Sequence, residues 1–318
     1  MRTLAPLLPK RGSSGPAVLT LQRWLNERGA GLVVDGDYGP ATAAALKASG
    51  PPPARPLPPM GAWIDRDWVT DPARWARLAS RIGLARVGLF LISADAGPPR
   101  VYPPHWTHFG TLPRLRGAIE TFGAYGIDVD LTAWLWPDVD YTRAMLDTVG
   151  PLLEEYDTAR LDGDTEFAFA SAGEHERVAE MLTAVPASRM SVNDYASLQA
   201  KTRLLLRDGV RRRPQLYSVG YTKYTGSKVI TQPGDLHYPG VTQHYGMAGG
   251  GRWHQVAAAG PLDVGLAAYK PVARMTVADQ VMRQAAAALW YEPAELWWWQ
   301  LDTGAAYHSA LEQLGRAA

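Results

Sequence analysis

From residue 61 to residue 301 the sequence alternates strand-like segments with segments of helical periodicity, and this alternation limits the fold more than any other feature. Strand-like runs fall at 61–66, 86–93, 127–136, 158–167, 189–194, 214–220, 241–246 and 295–301. Helix-like runs fall at 71–82, 112–125, 141–156, 173–185, 198–208 and 276–290. Repeated β-then-α units favour a parallel sheet covered by helices, because a parallel connection must cross over the sheet. Eight such strands predict a closed (β/α)8 TIM-like barrel in the α/β class. Residues 221–275 are long, Gly-rich and irregular, so one barrel helix is expected to be irregular or missing there.

Residues 50–60 read Gly-Pro-Pro-Pro-Ala-Arg-Pro-Leu-Pro-Pro-Met, a composition that favours an extended, semi-rigid spacer. It divides the chain into residues 1–49, a linker at 50–60, and the barrel at 61–318. In the first part Val18, Leu21 and Leu25 share one helical face, Pro16 suits a first turn, and Gly29 and Gly31 end the helix. Asp35-Gly36-Asp37-Tyr38-Gly39-Pro40 forms a turn-rich loop, and a further helix begins at Thr42. A small three-helix all-α module is expected.

Composition removes several functions. With 318 residues and a formal charge of +1, the chain lacks the concentrated basic face that nucleic acid requires. The run Arg211-Arg212-Arg213 is short and reads as a solvated strand entry. There is no cysteine, which excludes disulfides, thiolate metal sites and cysteine nucleophiles. No apolar run is long enough to span a bilayer, which takes about 18 residues. The first residues, broken by Pro6 and Pro9, make a poor signal peptide. Synthesis in the cytoplasm and action on the cell wall after release by another route are therefore expected, as is a monomer. The 12 Trp and 14 Tyr suit stacking on sugar faces as well as core packing.

Chemistry concentrates in Asp162-Gly163-Asp164-Thr165-Glu166, on the fourth strand-like run. Alternation along a strand puts Asp162, Asp164 and Glu166 on one face, with neighbouring acids about 7 Å apart by Cα. In such barrels reactive groups sit at the C-terminal strand ends. Crowded carboxylates divide into a protonated acid and an ionised partner, the pairing that glycoside hydrolysis needs. Surface acids or calcium-loop-like ligands are the alternative. Asp65, closing the first strand, is a further candidate carboxylate or a structural hydrogen-bonding group. Sugar contacts are expected from Trp134, Trp136, Asn193, Tyr195, Gln243, Tyr245, Trp297 and Trp299, all near strand ends, with Trp298 turned towards the helices.

Two resemblances sharpen these readings. Residues 5–48 resemble the helical peptidoglycan-binding domain through Gly15, Val18, Leu21-Gln22, Leu25, Gly29, Asp35-Gly36-x-Tyr38-Gly39 and Thr42 with Ala45-Leu46; the aromatic-Gln pair that usually closes its last helix is missing. The resemblance implies bacterial peptidoglycan as partner, held by Gln22, Asp35, Gly36, Tyr38, Gly39 and Thr42. Asp162-x-Asp164-x-Glu166 resembles the signature of family 18 chitinases, and Asp164-x-Glu166 alone the shorter one of family 25 lysozymes. Both imply Glu166 as proton donor. They differ on Asp164, which orients the substrate's acetamido group in the first and assists the anomeric centre in the second.

Together the two parts resemble a modular phage-type endolysin that cuts the glycan strand as an N-acetylmuramidase and needs no cofactor. Other readings are an N-acetylglucosaminidase with substrate assistance, a zinc amidase or peptidase, and an inactive wall-binding barrel. Zinc chemistry would need clustered ligands. His105, His108, His175, His237, His244, His254 and His308 are scattered, and only His105-x-x-His108 forms a pair.

Overall fold

The computed structural model describes residues 3–65, 67–92, 112–165, 169, 172–195, 200–216, 229, 231, 233–236, 260–267, 275–301 and 304–316, with only the backbone at 67, 92 and 195. The chain opens with β1 (Thr3–Leu4), α1 (Pro16–Asn26), α2 (Pro40–Ser49) and β2 (Arg55–Pro56). Pro16 starts α1, where its missing N–H costs nothing, and Ala17, Val18, Leu21 and Leu25 turn inwards. Between the helices Gly36 takes φ 80°, and its N–H donates to the buried Gln22 Oε1 at 2.9 Å. The expected three-helix module has two helices among the described residues. Where a third would follow, the proline segment supplies β2, which pairs antiparallel with β1.

The barrel is made by β3 (Met60–Ile64), β4 (Arg86–Ile92), β5 (Asp128–Trp134), β6 (Arg160–Asp164), β7 (Met190–Tyr195), β8 (Arg211–Gln215), β9 (Asp263–Ala267) and β10 (Glu295–Trp299). Neighbours pair in parallel in chain order, and β10 closes on β3. This is the predicted (β/α)8 TIM-like barrel. Outside it lie α3 (Pro72–Ile82), α4 (Leu112–Gly123), α5 (Val139–Glu155), α6 (His175–Met181), α7 (Val277–Ala288) and α8 (Ala305–Arg316). Three of them are capped at their starts: Asp71 accepts from Arg74 N, Asp138 accepts from Tyr141 N, and Thr276 with Asp279 forms a reciprocal box. Each cap satisfies a helix N–H that would otherwise lack a partner. Trp298 faces this outer layer and is fully buried.

Several expectations change. The seventh strand is β9, taken from the stretch read as irregular, and 241–246 lies outside the described residues. Strand β8 begins at Arg211 rather than 214. In place of a helix at 198–208 the described residues hold a short 3-10 turn, Thr202–Leu205. Helix α8 was not foreseen.

The module is fastened to the barrel. Trp290 lies in the 3-10 turn between α7 and β10 and completes the small core of Ala17, Leu21, Trp24 and Leu25. Its indole N–H donates to Leu7 O, Leu7 N donates to Ala286 O at 3.1 Å, and the Arg55 guanidinium lies 4.8 Å from the Trp290 ring centre. A turn that follows a barrel helix and precedes the next strand lies at the N-terminal end of the strands. The module is therefore docked on the barrel floor, opposite the C-terminal mouth.

Candidate active site

The inward face of the barrel is ionic and aromatic rather than aliphatic. Arg86, Arg160, Arg211 and Arg213 pair with Asp130, Asp162, Asp263 and Glu295 across the lumen. Arg213, fully buried, lies 2.9 Å from Asp162 Oδ1, 3.0 Å from Asp130 Oδ2 and 3.2 Å from Asp263 Oδ2. Burial alone would lower its pKa, but the surrounding carboxylates outweigh this and hold it above the ordinary arginine value. Burial likewise pushes Glu295 up, and Arg213, Arg211 and Arg160 overcome it, holding the carboxyl at about 2. The run read as a solvated strand entry is thus corrected: Arg211 and Arg213 point into the lumen, where β5, β6, β9 and β10 supply acids.

Above this set lie tryptophans. The Trp297 ring is covered by the Arg213 guanidinium at 3.6 Å and by Trp63 at 5.0 Å between ring centres. Glycines make the room, since a Cβ on Gly61 would meet Trp297 at 2.6 Å and one on Gly88 would meet Trp63 at 2.5 Å. Trp299, at the end of β10 and only partly buried, stands edge-on to Phe90 at 5.2 Å and 5.8 Å from Trp63.

Asp164 ends β6, the fourth strand of the barrel, at its C-terminal edge. The backbone there is held from both sides. Leu135 N donates to Asp164 O at 2.7 Å, and the Leu135 side chain fills the space left by Gly163, whose Cβ would meet it at 2.6 Å. Thr165 donates through N and Oγ1 to Asn193 O at 3.0 and 2.9 Å, and Thr202 Oγ1, 3.2 Å from Thr165 Oγ1, also donates to Asp194 Oδ2. The chain therefore leaves the barrel towards position 166 from a fixed point. Beside Asp164, Trp134 ends β5, and its carbonyl accepts from Tyr141 Oη at 2.5 Å. Gln215 ends β8; its Nε2 lies 2.7 Å from Asn193 Oδ1 and 3.5 Å from Asp164 Oδ1.

The structure treats the sequence-predicted residues unequally. Asp164 and Trp134 are brought together at the mouth, and Trp299 stands at the same end of the barrel. Asp162 is in the lumen with both oxygens engaged: Ser191 Oγ donates to Oδ1 at 2.6 Å, and Trp63 Nε1 and Asn193 Nδ2 to Oδ2 at 2.9 and 3.0 Å. Fully buried and paired to Arg213, it stands beneath the mouth as part of the luminal network. Trp297 is fully buried against Arg213 and Trp63, with its N–H donating to Glu295 Oε2 at 2.8 Å, the setting of a core residue rather than a sugar contact. Asn193 is buried, its amide spent on Asp162 and Gln215. Trp136 is buried just beyond β5, and Asp65 follows β3 half-buried. Glu166, Gln243, Tyr245 and the Tyr195 side chain lie outside the described residues. Gln215 was missed, although alternation from Arg211 through Arg213 aims it inwards.

In the module, Gln22 and Thr42 are buried struts of the loop. Gln22 Nε2 donates to Asp35 Oδ1 at 2.8 Å and Asp37 O at 3.0 Å, and lies 3.4 Å from Thr42 Oγ1. The Asp37 N–H and the Gln22 amide hold the exposed Asp35 carboxyl below its usual pKa. Tyr38 is buried, Gly36 carries the turn and Gly39 precedes α2. Val33 and Val34 beside them are exposed. His175 Nε2 lies 2.8 Å from Phe169 O, and His308 Nε2 is within hydrogen-bond reach of Leu301 O. Among the described residues no three His, Asp or Glu are grouped to hold a metal ion, and no helix is long and apolar enough to cross a membrane.

The sequence matches no protein-family description and no curated protein. Solved structures similar to it include an exo-β-1,4-mannosidase from Opitutaceae bacterium strain TAV5, with 14% identity over 77% of this chain and 52% of that one at a TM-score of 0.49. An enzyme of family GH138 targeting pectin rhamnogalacturonan II shows 11% identity over 89% and 43%, with a TM-score of 0.46. An α-L-fucosidase of family GH29 from Bacteroides thetaiotaomicron shows 11% identity over 99% and 76%, with a TM-score of 0.43. The chain spans about half the length of the first two. The class of the fold, a (β/α)8 barrel, rests on the strand pairing itself.

Proposed function

We propose that the chain is a glycoside hydrolase that cuts the glycan strand of peptidoglycan in the manner of an N-acetylmuramidase. The observation that carries the reading is the position of Asp164, an acid at the C-terminal end of the fourth barrel strand, two residues before Glu166 and beside Trp134. In this reading Glu166 gives its proton to the oxygen of the leaving sugar as the glycosidic bond breaks. Asp164 stabilises positive charge developing at the anomeric carbon, and water supplies the hydroxyl that completes hydrolysis. Trp299, partly buried at the mouth, offers a flat face to a sugar ring, and the buried Trp134 stands beside Asp164. The saturation of Asp162 by Arg213, Ser191, Trp63 and Asn193 favours the shorter Asp164-x-Glu166 pairing over one that uses all three acids. The module, through its loop around Asp35, binds the wall.

The test is Glu166→Gln on purified walls. Turbidity loss should cease while wall binding persists, and retained lysis would sink the assignment. Mass spectrometry of the wild-type digest identifies the bond, because a muramidase leaves N-acetylmuramic acid at the new reducing end.

A further inference from the structure

We propose that Gln215 is a positioning residue for Asp164, set by a chain of hydrogen bonds whose polarity begins at Arg213. The inference rests on the glycosidase reading for its functional meaning. Asp162 lies 2.9 Å from the Arg213 guanidinium in a fully buried setting, and an ionised carboxylate can only accept hydrogen bonds. Asn193 must therefore turn its NH2 towards Asp162 Oδ2, at 3.0 Å, and its carbonyl oxygen away. That oxygen faces Gln215 at 2.7 Å and accepts from Nε2. The Gln215 amide is then fixed in turn, and its NH2 rather than its oxygen is presented to Asp164 Oδ1, at 3.5 Å. A reversed Gln215 would set oxygen against oxygen on both sides in a buried site, which the local desolvation makes costly. With both carboxylates ionised, this arrangement of the two amides sets a donor against an acceptor at each of the three contacts.

The consequence is that Asp164 meets an N–H donor on one oxygen before any substrate arrives. That contact biases the orientation of the Asp164 carboxylate. Gln215 touches no reacting atom in this scheme and acts through Asp164.

Two measurements test this. In 15N–1H spectra of side-chain amides, the Gln215 pair is identified by its loss in Gln215→Met. It should shift in Asp164→Asn and also in Asp162→Asn, the latter through Asn193. In wall digestion Gln215→Met should lower kcat about ten- to hundredfold with KM little changed and the acid limb of the pH profile displaced. Gln215→Glu, equal in shape but facing two oxygens with a third, should be impaired at least as much.

A Gln215 signal unmoved by Asp162→Asn overturns the relay whatever the activity. Normal kcat and pH profile in Gln215→Met, beside an active wild type, overturn the positioning role and leave the glycosidase reading standing. Coupled amide shifts with a wild type that releases no reducing ends uphold the relay and remove the glycosidase reading instead.

Discussion

Arg213 and Asp162 meet 2.9 Å apart inside the barrel, both fully buried, and their pairing ties β8 to β6 across β7. Breaking a buried pair from one side strands the other charge. Arg213→Met leaves Asp162, Asp130 and Asp263 without their shared cation and should cost about 3–5 kcal/mol in denaturant unfolding, enough to prevent folding in a marginal protein. Asp162→Asn keeps most of its hydrogen-bond partners and should cost less. Equal losses would contradict the central place given to Arg213.

The same network predicts an acid limit to stability. Glu295 is held at about 2 in the folded chain, against 4.5 for the free group. Because the folded value is depressed, its contribution is complete above 4.5 and is lost as pH falls towards 2, a difference on the order of 3 kcal/mol. Glu295→Gln should flatten stability against pH in that window, as read by urea unfolding at stepped pH.

Gly88 tests the fit of Trp63. A Cβ there would meet Trp63 Cδ1 at 2.5 Å and Thr132 Oγ1 at 2.8 Å, and both lie in a packed lumen. Gly88→Ala should destabilise by about 1–3 kcal/mol and change the near-ultraviolet circular dichroism of the tryptophans. An unchanged spectrum would mean that the lumen can yield.

Trp297 and Trp299, two residues apart on β10, should separate stability from binding. Trp297→Ala removes a buried ring and should cost about 3–5 kcal/mol. Trp299→Ala at the mouth should leave the fold largely intact and raise KM on walls. The reverse pattern would place the sugar surface elsewhere.

Trp290 fastens the module, so Trp290→Ala should cost a similar amount, about 3–5 kcal/mol, and should open residues 50–60 to limited proteolysis. A linker as resistant as in the wild type would show that β1 and β2 suffice.

The barrel was legible in the sequence because strand and helix periodicities differ and repeat. Seven of the strand-like runs overlap barrel strands, whereas β9 was missed: Asp263-Val-Gly-Leu-Ala is short, carries an acid and a glycine, and follows a long irregular stretch. Arg211 and Arg213 misled for a different reason. A charge run shows its own sign, but its partners Asp130, Asp162, Asp263 and Glu295 come from four other strands that only the closed barrel brings near. For the same reason Asp162 and Asp164 look equivalent on one strand face, although only Asp162 meets Arg213 and Asp164 ends the strand beside Trp134. Gln215 could have been found by extending the alternation two residues past Arg213, had the strand been started at Arg211.

The docking of Trp290 gives the molecule a back and a front. The module sits behind the barrel and the buried Asp164 lies at the opposite end, separated by strands that rise about 16 Å over five residues. A short oligosaccharide lying in the mouth therefore never reaches the module, and truncating the module should not alter the occupancy of individual sugar subsites. On the proposed reading, any advantage from the module would then show on polymeric walls and not on short oligosaccharides.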